Sequence, residues 1–330
     1  MKVAIIQEWL VTLGGSEKVV QALTELYPDA DIFTLVLDRK LLPEIKLEDR
    51  KIVTSIIQKL PFGIRKYKNY LPIFPFAIEQ FDLTEYDLVI SSSHAVAKGV
   101  LTTDRQLHIT YCHSPMRYAW DLYHQYLEEA ELGFGFKGIL GRYFLHKIRL
   151  WDVISANRPD YYISNSNFIA KRIKKVYGRL STTIYPPIEI DQFTFCGDKE
   201  DYYVTCSRMV SYKRIDLIAE AFGHLPDKRL IIIGDGPDFD KVKSVSGSNI
   251  ELKGFLPTSE LVYYLQRAKA FVFAAIEDFG MLPVEAQACG TPVIAYVLGG
   301  SIETVVDGET GVLFNEQTVE GIVSGVKRFE

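Results

Sequence analysis

Two glutamates eight positions apart form the most informative group in this sequence. Glu277 and Glu285 open and close the run EDFGMLPVE, which lies between two apolar segments that we interpret as strands. A helix that begins near Met281 would place Glu285 about one turn inside it, because an α-helix turns once per about 3.6 residues. Glu277 would then stay on the loop, in front of the free N–H groups of the helix. Carboxylates that accept from hydroxyls, beside N–H groups that bind phosphate, suit a phosphorylated sugar.

Two cations form a second group. Arg208 and Lys213 follow an apolar segment that predicts a strand, and they precede an apolar helical segment. Cations near a helix N-terminus oppose the helix dipole, so a bound anion explains them better than simple exposure to water does. Breaking a sugar–phosphate bond places negative charge on the departing diphosphate. Two fixed cations would stabilise that charge without a metal ion.

A histidine and a glycine pair in the first half are further candidates. His113 follows the predicted strand 108–112, in the run YCHSPMRYAWD. Carboxyl ends of parallel strands face the ligand in open α/β sheets, so His113 is a candidate active-site residue, with a satisfied core histidine as the alternative. Arg117 and Asp121 lie four positions apart, so they could pair, or Arg117 could contact a phosphate. Gly15 and Ser16 precede an apolar helix, and Ser16 is the expected N-cap.

The composition favours a folded cytoplasmic protein. A chain of 330 residues with 48% hydrophobic residues has room for about two domains with sizeable cores. The net charge of −5 disfavours a general nucleic-acid binder. The four cysteines lack C-x-x-C spacing, which indicates buried thiols in a reducing compartment rather than structural zinc. A strand is expected directly at the N-terminus, without a signal peptide, and no apolar run reaches the length of a membrane span.

Strand-like segments alternate with helical patterns in both halves, which predicts two doubly wound parallel sheets. The expected domains are 1–187 and 188–330, separated where Tyr185-Pro186-Pro187 breaks the pattern. Strands are expected in the first domain at 2–6, 31–35, 87–91, 108–112, 161–164 and 182–185. In the second domain they are expected at 202–207, 229–233, 249–252, 270–273, 292–295 and 311–314. Two such sheets facing each other would enclose a cleft between the domains.

The sequence resembles the family-4 retaining glycosyltransferases, which have the two-domain GT-B fold. The resemblance rests on the E-x7-E run with GTPVIA after it, on Arg-x4-Lys at 208–213 and on Gly-Asp-Gly-Pro at 234–237. It implies that Glu277 holds donor-sugar hydroxyls, that Glu285 holds the ribose and that His113 lies in the active site. It assigns the diphosphate to Arg208 and Lys213. Further donor contacts are implied for Gly15, Gly234, Phe255, Phe279, Gly280, Met281 and Leu282.

The resemblance also implies a substrate and a mechanism. The run HSPMRYAWD is similar to that of bacterial and archaeal mannosyltransferases of cell-surface polysaccharide synthesis. We therefore expect GDP-mannose as donor, a saccharide or lipid-linked saccharide as acceptor, and neither cofactor nor metal. In front-face transfer the leaving diphosphate assists the incoming hydroxyl. A UDP-sugar donor, a nucleotide-sugar 2-epimerase and a non-catalytic sugar-nucleotide-binding or assembly protein remain open. A Rossmann dehydrogenase is disfavoured, because no G-x-G-x-x-G follows either first strand.

Two expectations concern the surface and the C-terminus. Segments 61–76 and 133–151 mix aromatic residues, Phe134 among them, with lysines and arginines. Such segments can dock peripherally on anionic lipid at the inner face of the cell membrane, although helices packed on the domain explain them equally well. Members of the resembling family end in a helix that returns to the first domain. Because the sequence stops at Glu330, within a helix predicted from Thr318, we expect that return helix to be missing.

Overall fold

The computed structural model describes residues 1–133 and 135–330, so Phe134 of the segment 133–151 lies outside the described residues. The chain divides into two compact units, Met1–Pro187 and Ile188–Glu330. Each unit contains its own parallel sheet with helices in the connections, which confirms the predicted α/β class. Among the described residues, no helix is both long and apolar enough to cross a membrane.

The first unit is built on a seven-stranded sheet in the order β3-β2-β1-β4-β5-β6-β7. Its strands are β1 Val3–Leu10, β2 Asp31–Leu37, β3 Ile52–Thr54, β4 Leu88–Ser93, β5 Leu107–Cys112, β6 Tyr161–Ser164 and β7 Thr182–Thr183. Every pair of neighbouring strands is parallel. Because helices cover both faces of such a sheet, its central strands are buried on both sides and read as continuous apolar runs.

The helices of the first unit follow its strands and pack on both faces. They are α1 Gly15–Leu26, α2 Phe74–Ile78, α3 Tyr123–Glu129, α4 Phe136–Ser155 and α5 Asn167–Tyr177, with 3-10 turns at Arg39–Leu41, Ile56–Lys59, Tyr67–Ile73 and Ala97–Gly99. Along β1, Ala4 and Ile6 enter one apolar core, whereas Val3 and Ile5 enter the core on the opposite face. This alternation is the two-residue repeat of a strand covered on both sides.

Two local predictions for the first unit are wrong, and one strand was not predicted. Strand β1 continues to Leu10, beyond its predicted end at residue 6, so Gln7, Glu8 and Trp9 belong to the strand. The edge strand β3 was missed because its three residues are too few to show the alternation of a strand. Helix α1 begins at Gly15 with Gly14 as its cap, and Ser16 lies inside the first turn, where its hydroxyl donates to Glu17 at 2.9 Å.

The second unit contains a six-stranded sheet in the order β10-β9-β8-β11-β12-β13. Its strands are β8 Tyr203–Cys206, β9 Leu230–Ile233, β10 Ile250–Gly254, β11 Ala270–Phe273, β12 Val293–Tyr296 and β13 Gly311–Phe314. Its helices are α6 Ile215–Gly223, α7 Phe239–Val245, α8 Thr258–Arg267, α9 Met281–Ala288, α10 Ser301–Thr304 and α11 Val319–Phe329, with a 3-10 turn at Ser211–Lys213. Each of these strands overlaps a predicted one, because each is a short apolar run between turn residues.

Helix α4 exposes an apolar face. Phe136 is 82% exposed, and Ile139, Tyr143 and Ile154 are also on the surface of the first unit. Lys137 and Lys147 are exposed on the same helix. The prediction of a membrane contact was based on this combination of apolar and basic residues. The contact itself stays a prediction.

A buried ion pair joins three parts of the first unit. Lys98, in the turn after β4, and Asp152, on α4, are 1% and 0% exposed, and the Lys98 ammonium contacts the Asp152 carboxylate. The same carboxylate accepts from Trp120 Nε1 at 2.8 Å and from the Tyr177 hydroxyl at 3.1 Å. Since both charges are fully desolvated, removal of either partner would leave an uncompensated charge in the core.

We expect Lys98→Met to lower the free energy of unfolding of the first unit by about 3–5 kcal/mol, because Asp152 loses its counter-charge. Urea unfolding followed by tryptophan fluorescence measures this change, since Trp9, Trp120 and Trp151 all lie in the first unit. Lys175→Met, an exposed position on α5, is the matched control. Equal stability of the two variants would show that the buried pair contributes little.

Candidate functional site

Each sheet has one place where the connections diverge. The strand order reverses between β8 and β11 in the second unit and between β1 and β4 in the first. In open α/β sheets the loops on either side of such a switch point part and leave a crevice outside the carboxyl ends of the strands, where ligands bind. Polar side chains that are partly or fully buried at these two edges are therefore the candidates for function.

At the switch point of the second unit, two of the predicted residues are paired. Lys213 ends the 3-10 turn that follows β8, and Glu277 lies on the loop that follows β11. Their side chains form an ion pair and are 18% and 17% exposed. The sequence is thus folded so that the cation predicted for phosphate and the carboxylate predicted for sugar hydroxyls lie together at one sheet edge.

Glu285 lies close to the same edge. Helix α9 begins at Met281, as predicted, and Glu285 is 5% exposed within it. The neighbouring Cys206, at the end of β8, has its pKa raised to about 12, chiefly by burial and further by the charge of Glu285, while Lys213 acts in the opposite direction. The charges of Glu285 and Lys213 both act on this thiol, so the two side chains lie near the same strand end. Because that thiol stays protonated, it is inert at neutral pH.

The loop that carries Arg208 is held by the turn that contains Gly234. Met209 donates its N–H to the Asp235 carbonyl at 2.9 Å, and the Gly234 N–H donates to the Gly254 carbonyl at 2.7 Å. Gly234 has φ of +130°, and a side chain there would collide with the Ser207 carbonyl, so only glycine fits. Arg208 itself is exposed and makes no ion pair within residues 1–133 and 135–330.

Phe255 and the loop before α9 complete the predicted donor residues. The Phe255 side chain is 80% exposed, so it adds no packing to its own unit. Gly280 caps α9, Phe279 is buried, and Met281 and Leu282 form the first turn of that helix. The first N–H groups of α9 therefore begin four positions after Glu277 in the chain.

Sequence reasoning missed a glycine pair that supports Glu277. Gly299 and Gly300 follow β12, and the Gly300 N–H donates to the Glu277 carbonyl at 2.8 Å. A side chain at Gly299 would collide with the backbone of Glu277, and one at Gly300 with the backbone of Phe279. The two backbones pack directly on each other, which fixes the loop that carries the carboxylate. Two adjacent glycines after a predicted strand could have indicated such a close approach of two backbones.

In the first unit, His113 follows β5 and is neutral. Its Nε2 is 2.8 Å from the Ser92 hydroxyl, and its carbonyl accepts from Asn165 Nδ2 at 3.1 Å. Burial lowers the pKa of His113 to about 3, an effect that His94 reinforces and Glu8 opposes. At neutral pH His113 can therefore give or receive a hydrogen bond but cannot supply a proton as an imidazolium.

The other predicted groups of the first unit have different partners. Asp121 forms an ion pair with Arg172 on α5. Gly15 is the first residue of α1, and the first turn of that helix carries Glu17, which is 3% exposed. Burial raises the pKa of Glu17. Among the described residues, no three or more His, Cys, Asp and Glu side chains are arranged to hold a metal ion.

Two Rossmann-like units in one chain are the architecture of the GT-B fold, as predicted. Residues 13–192 match the family model Glycosyltransferase Family 4, and residues 188–330 match the model Glycosyl transferases group 1. The chain belongs to glycosyltransferase family 4.

Curated relatives include several bacterial and archaeal glycosyltransferases. A GDP-mannose-dependent alpha-(1-6)-phosphatidylinositol monomannoside mannosyltransferase from Mycolicibacterium smegmatis is 27% identical over 52% of this chain and 53% of its own length. A D-inositol 3-phosphate glycosyltransferase from Mycobacterium marinum is 35% identical over 50% of this chain and 41% of its own length. An uncharacterized glycosyltransferase from Methanocaldococcus jannaschii is 28% identical over 53% and 49%. The chain thus spans about half the length of these relatives.

Solved structures show the same fold. HepE from Anabaena in complex with UDP superposes with a TM-score of 0.71 at 18% identity, over 99% of this chain and 89% of that one. Sucrose-phosphate synthase from Thermosynechococcus elongatus gives a TM-score of 0.74 at 18% identity, over the same shares. At this identity the likeness concerns the fold alone.

The two neutral histidines of the first unit make its stability depend on pH. Burial lowers the pKa of His108 to about 4, with Asp160 opposing and Arg158 reinforcing, and it lowers that of His113 to about 3. As the pH falls below 6.5, the unfolded chain gains a proton on each imidazole that the folded chain cannot yet accept. The native state is therefore favoured above pH 6.5 and loses stability as the pH falls toward 4.

We expect the free energy of unfolding of the first unit to fall by up to about 1.4 kcal/mol per pH unit for each imidazole. Urea unfolding by tryptophan fluorescence between pH 8 and pH 4 measures the slope. His108→Gln should flatten it, whereas His124→Gln, an exposed position on α3, should not. An unchanged slope in His108→Gln would contradict the assignment of a neutral buried imidazole.

Proposed function

We propose that this chain is a retaining hexosyltransferase that moves mannose from GDP-mannose to a hydroxyl of a saccharide or lipid-linked saccharide. The observation that carries the proposal is the Lys213–Glu277 ion pair at the switch point of the second unit. The pair combines a phosphate-binding cation with a hydroxyl-binding carboxylate. A nucleotide sugar has phosphates and sugar hydroxyls a few bonds apart, so it could bind both members of the pair.

The pair need not break when donor binds. An ammonium has three N–H donors and a carboxylate has two oxygens, so each group retains hydrogen-bonding capacity while paired. Lys213, together with the exposed Arg208, would offset the charge that develops on the departing diphosphate, and no metal ion would be required. Glu277 would hold hydroxyls of the sugar, while the buried Glu285 would hold those of the ribose.

The choice of mannose rests on sequence likeness. A GDP-mannose-dependent mannosyltransferase is among the relatives, and the run HSPMRYAWD of the first unit points the same way. The HepE structures contain UDP or UDP-glucose, and a UDP-sugar is therefore the donor against which GDP-mannose must be compared. The transfer would retain the configuration of the sugar, and the leaving diphosphate would assist the incoming hydroxyl.

We expect Glu277→Ala, Lys213→Ala and Arg208→Ala each to lower kcat/KM by on the order of a hundredfold or more, because each removes a group that stabilises bound donor or developing charge. Steady-state transfer assays measure the loss, and circular dichroism checks that the fold survives. Lys241→Ala is the matched control, since Lys241 is exposed on α7 in the same unit and pairs with Asp216 at 2.7 Å. Wild-type rates in all three variants would refute the site.

The double variant Lys213→Ala/Glu277→Ala separates a structural pair from a functional one. If Lys213 and Glu277 serve only to neutralise each other's charge, removal of both should recover part of the activity lost in either single variant. If each group serves the donor, the double variant should be at least as impaired as the worse single variant.

Calorimetric titration tests the donor directly. We expect binding of GDP-mannose that EDTA does not weaken, and weaker binding of UDP-glucose, UDP-N-acetylglucosamine and NAD. Preference for a UDP-sugar would keep the enzyme class and overturn the mannose assignment. Loss of binding with EDTA would overturn the metal-free site. Donor binding without transfer or hydrolysis would instead indicate a sugar-nucleotide-binding protein.

A further inference from the structure

The switch point of the first unit contains a buried carboxylate that the proposed donor chemistry does not use. Glu8 is fully buried near the end of β1, beside the end of β4. Its Oε1 accepts from the Ser93 hydroxyl at 3.1 Å and from the backbone N–H groups of His94, Ala95 and Ala97 at 3.0, 2.8 and 3.1 Å. Four donors on one oxygen fix the loop that follows β4.

The second oxygen of Glu8 faces a histidine. Oε2 is buried, has no hydrogen-bond partner among the described residues and lies 3.2 Å from Nδ1 of His94. Burial alone would raise the pKa of Glu8, but the charge of His94 and the N–H groups of Ala97 and Ala95 hold it below its usual value. Glu8 is therefore ionised, and its Oε2 can only accept a hydrogen bond.

The carboxylate of Glu8 determines which edge of the imidazole a ligand can reach. It lies against Nδ1, which leaves Nε2 as the ring nitrogen that can hydrogen-bond to a ligand. The His94 side chain is 27% exposed, and the Trp9 ring packs edge-on against it at 4.7 Å. Within the described part of the chain, Nε2 has no hydrogen-bond partner. The imidazole is thus held at Nδ1 by Glu8, and its side chain remains partly accessible to solvent.

The charges around this point favour a neutral ligand. The carboxylates of Glu8 and Glu17 both interact with His94, and they would repel a phosphate at this point. The fully buried Gln7 adds a further acceptor, because its Oε1 is unpartnered among the described residues. Carboxylate and amide oxygens suit the hydroxyls of a sugar.

We propose that His94, with the buried carboxylate of Glu8 at its Nδ1, forms a hydrogen bond through Nε2 with a hydroxyl of the acceptor saccharide. This assignment rests on the proposed function and deepens it, since it identifies which side chain of the first unit meets the acceptor. Glu8 is a positioning residue, as it acts through His94. The arrangement parallels the Lys213–Glu277 pair, because both join side chains across the switch point of a parallel sheet.

Nuclear magnetic resonance of protein labelled with ¹⁵N-histidine tests the geometry without any turnover. We expect His94, identified by the signal lost in His94→Gln, to carry its proton on Nδ1, and titration with methyl α-D-mannopyranoside to shift its Nε2 resonance. Glu8→Gln keeps an oxygen for the four loop donors and replaces the second oxygen by an NH₂ donor. It removes the charge beside Nδ1 and should therefore weaken the response of His94 to the sugar. A wild-type Nδ1 without a proton, or no response to the sugar, overturns the proposal.

Kinetics tests the role in transfer. With methyl α-D-mannopyranoside as acceptor, His94→Gln and Glu8→Gln should raise the acceptor KM about tenfold, as expected for one lost hydrogen bond, and lower kcat less. The calorimetric Kd for donor should change by less than about twofold, since His94 would contact only the acceptor and Glu8 acts through His94. His124→Gln should change neither quantity.

The outcomes separate this inference from the proposed function. An unchanged acceptor KM in both variants, or an equal loss of donor affinity, overturns the role of His94. Failure of the wild-type protein to bind any nucleotide sugar overturns the proposed function instead. In that case the tautomer of His94 and its response to the sugar still decide whether this point binds a hydroxyl-rich ligand.

Discussion

The switch point of a parallel sheet is the constraint on which the candidate sites depend. At β1/β4 and at β8/β11 the chain leaves neighbouring strands in opposite directions, so no connection covers the carboxyl ends. Side chains placed there can be held by the sheet and still reach solvent. In the second unit this produces the Lys213–Glu277 pair, and in the first unit it produces the contact of Glu8 with His94.

The two edges differ in charge, and that difference is the reason that we propose different ligands for them. In the second unit Lys213 and Arg208 supply cations, so a diphosphate can be bound there. In the first unit the carboxylates of Glu8 and Glu17 interact with His94, and they would repel a diphosphate and accept from hydroxyls. A sugar transfer needs both environments. The fold is the same in the two units, and the side chains at its edges make the distinction.

The sequence predicted what depends on short-range pattern. The α/β class and the start of α9 follow from apolar runs between turn residues. Glu277 and Lys213 were singled out because each lies in the loop after a strand, within a recognisable motif. The predicted first strand stops before Glu8, because the polar Gln7 and Glu8 interrupt the apolar run, although the strand continues to Leu10. Its partners lie more than eighty residues away, and no local pattern reports them.

The long separation between those partners has a consequence for how the first unit folds. Glu8 meets the loop after β4 across 85 to 89 residues of chain, so this edge cannot form until β1 and β4 have paired. Contacts of such separation pay a large loop-closure entropy before they contribute stability. The strand pair at the centre of the sheet and the contacts of Glu8 should therefore form in one late step of folding. During synthesis, Glu8 at the end of β1 therefore lacks its hydrogen-bond donors until the loop after β4 has been made.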